Sequence, residues 1–138
     1  MTENSVYKAI LGEVPEGIKR DVMTVLSGHV GNERRMSRQM IAAMLRYLQP
    51  VYKNKRAVRL DRMVRLAIAE LQEEGYAILS DSGKGGYWLA GSKDEVEKTA
   101  LEMESRAEKL RKKALALRKA GKQAWVKPEG AEQLRLEI

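Results

Sequence analysis

Apolar side chains recur three and four residues apart in four stretches of this chain and alternate with polar ones in one hairpin-like stretch. Residues 1–14 show no sustained period and read as an N-terminal tail or a short leading helix. Pro15 reads as a helix-starting proline, after which Ile18, Val22, Val25 and Leu26 keep helical spacing until Gly28 stops the pattern. His29 to Met36 carries two glycines and an asparagine, which predicts a loop or a short strand. Ser37 is placed to cap a second helix with apolar positions Met40, Ile41, Met44, Leu45 and Leu48, closed by Pro50. Residues 51–60 form a long basic connection. Asp61 is expected to begin a third helix, with Met63, Val64, Ala67, Ile68 and Leu71 on one face, Arg62, Arg65, Leu66, Ala69 and Gln72 on the other, and Gly75 at its end.

Tyr76–Ser80 and Gly86–Ala90 read as two short strands around the turn Asp81–Gly85. Ser92 and Glu95 form a capping-box pattern, and nothing breaks a helix from there to about Ala120. At ~1.5 Å per residue such a helix is roughly 40 Å long, more than a domain of this size covers. The pattern predicts a mainly α protein with one small β-hairpin (α+β). Four segments follow: an N-terminal tail at 1–14, a globular domain at 15–91, a long helix at 92–122 and a C-terminal tail at 123–138, where Lys127–Gly130 is linker-like.

Charge changes this picture, because it is not evenly spread. The chain has 138 residues and a net charge of +7. Residues 34–65 alone hold ten basic side chains against the single acid Asp61, while the stretches on either side are net negative. Arg34, Arg35, Arg38, Arg46, Lys53, Lys55, Arg56, Arg59, Arg62 and Arg65 concentrate positive potential as a polyanion-binding face does. The plainer reading is a solubilising surface.

Counting excludes several chemistries. There is no Cys and one His, so disulfide frameworks, Cys-based zinc sites, thiol nucleophiles and imidazole clusters are out. No His pair or recognisable acid dyad supplies catalytic roles, so an enzyme and a cofactor are not expected. No apolar run approaches the roughly 18 residues of a membrane span, and Met1–Ile10 lacks a signal-peptide layout, so the expected location is a reducing bacterial or host cytoplasm, at the nucleoid, away from membranes. Gly83-Lys84-Gly85-Gly86 lacks the preceding spaced Gly and the following Ser or Thr of a phosphate loop. Tyr76, Tyr87 and Trp88 offer a base-stacking platform or core packing, and alternation in a hairpin favours the core. His29 has no partner that the sequence names.

The order helix, helix, helix, hairpin, with the run Asp61 to Ile78 followed by Gly85-Gly-Tyr-Trp-Leu-Ala90, resembles the recognition helix and wing of small winged helix-turn-helix proteins of bacteriophage and prophage type. The likeness covers roughly residues 15–120, is strongest over 61–90, and departs from the compact pattern in the basic 51–60 connection. It implies a sequence-specific double-stranded DNA-binding protein, a transcriptional regulator or a replication accessory factor, with the third helix in the major groove. Arg59, Arg62 and Arg65 then stand where bidentate contact to guanine, or contact to phosphate, is made. Ser37 and Arg38 at a helix start suit phosphate, and Lys84 at the wing tip suits the backbone or minor groove.

Val96, Ala100, Met103, Ala107, Leu110, Ala114 and Leu117 are spaced four and three apart, a heptad seam that predicts a homodimer through the long helix, against the option of that helix folding back on its own domain. Residues 94–105 are acidic and 106–122 basic, so an antiparallel pair sets acid against base. Two-fold symmetry would favour an inverted-repeat DNA site. The terminal Gln133, Leu134 and Leu136 look like a degenerate form of the peptide by which bacterial replication proteins dock on the sliding clamp, lacking its aromatic residue; an amphipathic end packed on the long helix fits as well. The rival to DNA binding is therefore a winged-helix protein-interaction module with a replication protein as partner.

Overall fold

The computed structural model describes residues 3–81, 83 and 85–125, with side chains from Tyr7 onward. The fold is mainly helical with one small antiparallel sheet: α1 (Glu3–Leu11), α2 (Ile18–Leu26), α3 (Arg38–Leu48), α4 (Ala57–Glu73), β1 (Ile78–Ser80), β2 (Tyr87–Leu89) and α5 (Lys93–Ala124), with single 3-10 turns at Asn32–Arg34 and Pro50–Tyr52. By contacts the chain divides into two units, residues 1–99 and 100–138.

The first unit is built on α2, α3 and α4. Val22, Met23, Leu26, Ile41 and Leu45 meet Leu60, Val64, Ile68 and Leu71 in a core that excludes water. With no Phe in the chain, Met23 and Met36 fill the irregular volume that aromatic rings usually take. Residues 1–14, read as a tail or short leading helix, contain α1, and Tyr7 and Val14 enter this core. Tyr7 donates its hydroxyl to the carbonyl of Ala90, tying the start of the domain to the far side of the hairpin.

Local chemistry fixes the helix ends, and several differ from expectation. Ser37 caps α3 as its sequence suggests, its hydroxyl accepting the Met40 N–H at 3.1 Å. Pro15 does not start α2; the helix begins at Ile18 behind Gly17, whose φ of +136° only glycine adopts readily. Asp61 does not start α4 either. The helix begins four residues earlier, at Ala57, because Leu60 belongs to its apolar stripe and is fully buried. Burying a leucine contributes ~1.5–3 kcal/mol, more than the ~1 kcal/mol of a side-chain cap. The expected 51–60 loop shrinks accordingly, and Tyr52 within it is buried.

β1 pairs with β2 in the register Ile78 to Leu89 and Ser80 to Tyr87. The other edge of β2 is also occupied: Met36 and Tyr87 exchange both backbone hydrogen bonds at 2.8 Å, and Gly31 donates to Leu89 at 2.8 Å. The stretch 29–36 therefore meets this edge twice, in parallel at Val30 and antiparallel at Met36, with the 3-10 turn Asn32–Arg34 reversing the chain between the two bridges. Trp88 packs with Leu79 and Ala90 in a small second cluster, while Tyr76 and Tyr87 lie partly buried against the main core, which is where hairpin alternation places them.

Ser92 accepts the Glu95 N–H at 3.2 Å, half of the capping box. The Glu95 carboxylate takes the Gly91 N–H and the Trp88 indole N–H instead, joining α5 to the hairpin. Beyond Thr99, α5 buries no side chain of its own among the described residues. No helix among them is long and apolar enough to cross a membrane.

Candidate nucleic-acid interface

The basic block of the sequence is carried by the 3-10 turn before α3, by α3, by α4 and by the connection between the two helices, and the structure sorts its members into two kinds. Arg56, just before α4, and Arg59, Arg62 and Arg65 on its first half are exposed and form no ion pair among the described residues. Arg56, Arg59 and Arg62 line one surface depression together with Val58, Met63 and Leu66. Arg34 and Lys53 are exposed and Lys55 is half-buried.

The remaining cations are partly buried and tied to partners within the fold. Arg35 is the clearest case: its guanidinium lies 4.9 Å from the Trp88 ring centre, donates to the Gly85 carbonyl at 3.2 Å, and stands 3.4 Å from the Asp81 carboxylate. It also donates to Asn32. Arg35, expected on the DNA-facing set, thus braces the hairpin turn. The turn needs that brace in a defined shape, because Gly85 and Gly86 both hold positive φ and a Cβ on Gly86 would stand 3.2 Å from the Met36 carbonyl oxygen. Arg46 donates to the Lys55 carbonyl at 3.0 Å and fastens the α3–α4 connection, while its Nε finds no hydrogen-bond partner. Arg38 lies beside Asp61, and Ser37 spends its oxygen on its own helix.

Electrostatics change sign along α4. Its first half is basic; its last turns carry Glu70 and Glu73, and Glu74 caps its end. Lys19 of α2 pairs with Glu74 and, at 3.7 Å, with Glu70, and the hydrogen bond to Glu74 holds its amino group above the ordinary lysine range. The start of α4 has neither a capping side chain nor an acid in its first turn. Helices favour the opposite arrangement, acid first and base last, so the sequence breaks a local rule here.

His29, for which the sequence offered no partner, has one: Nδ1 lies 2.7 Å from the Arg34 carbonyl oxygen, and since a carbonyl only accepts, Nδ1 carries the proton. The role of Arg35 has no local sequence signal, because it meets partners 46 and 50 residues away. Lys84 and the terminal Gln133, Leu134 and Leu136 lie outside the described residues. On the expected α3 stripe only Ile41 and Leu45 are buried; Met40, Met44 and Leu48 are exposed, in line with Tyr47 at 81% and Val51. Of the heptad positions, Val96 borders a depression with Tyr7 and Tyr76, and Met103, Ala107, Leu110 and Leu117 are exposed, with Ala100 and Ala114 half-buried. Among the described residues no group of three or more acids or histidines is placed to hold a metal ion.

Compared with protein-family models, curated proteins and solved structures, the chain matches none.

Proposed function

We propose that the chain is a sequence-specific double-stranded DNA-binding protein of winged-helix type, with α4 as the helix that enters the major groove and the β1–β2 hairpin as the wing. One observation carries the reading: four arginines without acid partners among the described residues stand at the uncapped start of α4, Arg56 just before it and Arg59, Arg62 and Arg65 on its first half. Unbalanced, they repel one another and oppose the helix dipole; a phosphate backbone offsets both costs. Arginine is also the side chain best suited to bidentate contact with guanine once a helix lies in the groove. The protein then acts by occupying a site, as a transcriptional regulator or a replication accessory factor, and needs neither a cofactor nor a covalent step.

Fluorescence anisotropy with random and defined duplexes, titrated with salt, tests this. Each neutralised phosphate contributes about −0.9 to the slope of log affinity against log salt, so a slope of about −3 or steeper is expected. Weak binding with a flat slope overturns the reading. In that event the exposed apolar row Met40, Met44, Tyr47 and Leu48 on α3 favours a protein-interaction module.

A further inference from the structure

The C-terminal half of α5 buries nothing of its own, yet keeps an apolar seam: Leu110 is 66% and Leu117 73% exposed. We infer that residues 97–118 of α5 pair antiparallel with the same residues of a second copy of this chain. Two independent features of the helix choose the second copy and its direction.

The first is side-chain size. Ala100, Ala107 and Ala114 occupy one core position of the heptad, and Met103, Leu110 and Leu117 the other. In an antiparallel pair these two positions meet. Every layer then sets one alanine against one larger residue: Ala100 against Leu117, Met103 against Ala114, Ala107 against Leu110, and the same layers again by symmetry. A parallel pair stacks alanine on alanine and leucine on leucine, giving alternately thin and thick layers that two helices cannot close-pack.

The second is charge. Glu97, Glu104, Arg111 and Arg118 recur every seven residues on one edge of the seam. Antiparallel, this edge faces itself, and Glu104 meets the second copy's Arg111 while Glu97 meets its Arg118. The other edge brings Arg106 near the second copy's Lys113, which opposes pairing. Four favourable contacts thus stand against two unfavourable ones. The parallel arrangement sets Arg106 against Arg111 and Lys113 against Arg118, all repulsive. Within its own helix Arg111 donates to Glu108 through Nη2 at 2.8 Å and Nε at 3.0 Å, which leaves Nη1 for a second carboxylate.

Sedimentation of the full chain without DNA tests the pairing, so that its failure is separate from failure of the DNA reading. At micromolar concentration the mass is expected at twice the 15.6 kDa protomer. Arg111→Glu and Glu104→Arg are each expected to weaken the dimer roughly tenfold, and the double variant to recover most of that loss. A parallel dimer gives the opposite sign, since Arg111→Glu then removes a repulsion from Arg106. Because the chain has no native Cys, mixing Ala100→Cys with Leu117→Cys in a thiol redox buffer is an orthogonal check: the antiparallel pair yields the mixed disulfide. A monomer at every concentration, a tighter Arg111→Glu dimer, or like-with-like disulfides overturns the inference.

Discussion

Arg38 Nε lies 3.2 Å from Asp61 Oδ1, joining the first residue of α3 to the second turn of α4. The contact is an ion pair without an aligned hydrogen bond, since Asp61 Oδ1 has no hydrogen-bond partner among the described residues. It spends the one acid of the basic block on a cation that would otherwise face outward. Asp61→Asn is therefore expected to release Arg38, raise duplex affinity several-fold at low salt, and steepen the salt slope by about 0.9. Both side chains are about one-third exposed, so the stability cost should stay below ~1 kcal/mol. An unchanged slope in the salt titration would show that Arg38 does not reach phosphate.

Arg62 and Arg65 are exposed on α4 without an ion pair among the described residues, and truncating both should leave thermal unfolding within ~0.5 kcal/mol of the parent. Loss of a bidentate base contact costs about 1–3 kcal/mol of discrimination at one base pair, whereas loss of a phosphate contact weakens all duplexes alike and flattens the slope by about 0.9. Measuring Arg62→Ala and Arg65→Ala separately against single-base variants of a selected site assigns one role to each. Full-strength binding by the double variant would remove α4 as the reader.

Neighbouring Arg34 and Arg35 are expected to separate cleanly. Arg35→Ala loses the contact with Trp88 and the bonds to Gly85 and Asn32, which predicts a stability loss of about 2 kcal/mol. Arg34→Ala should leave the melting temperature alone and lower the salt slope. Chemical denaturation and anisotropy on the two variants check this. Equal stability of both would mean that the hairpin turn does not depend on its brace.

What the sequence revealed follows from the range over which each force acts. Helical periodicity located α2, α3, α4 and α5, and the hairpin was legible from its glycines, because these signals span a few residues. The start of α4 was misplaced because Asp61 imitates a cap while the burial of Leu60, a tertiary effect, decides the boundary. Helical spacing marks five apolar positions on α3, yet periodicity cannot tell which of them find a neighbour, and Met40, Met44 and Leu48 stay exposed. Net charge pointed to the arginines of α4 but could not separate Arg62, which is free, from Arg35, which is spent on residues some 50 positions away. Tyr7 was invisible for the same reason, its partner being Ala90.

Tyr52 makes a prediction about alkaline stability. Its ring is buried and its hydroxyl donates to the Asp21 carboxylate. Burial first, and then the hydrogen bond and charge of Asp21, raise its pKa well above the ordinary value near 10. Below pH 10 the phenol is protonated in both folded and unfolded chains, so this contribution to stability is fully present and constant. Above pH 10 the unfolded chain releases the proton and the folded chain keeps it, so stability falls as pH rises, by about 1.4 kcal/mol per pH unit for one such group. Tyr52→Phe should cost about 1 kcal/mol at pH 7, where only the hydrogen bond is lost, and should fall less steeply than the parent above pH 10. Urea midpoints for the two proteins at pH 7, 9.5, 10.5 and 11 measure the difference. Parallel decline of both above pH 10 would place the alkaline transition in other groups and remove Tyr52 as its origin.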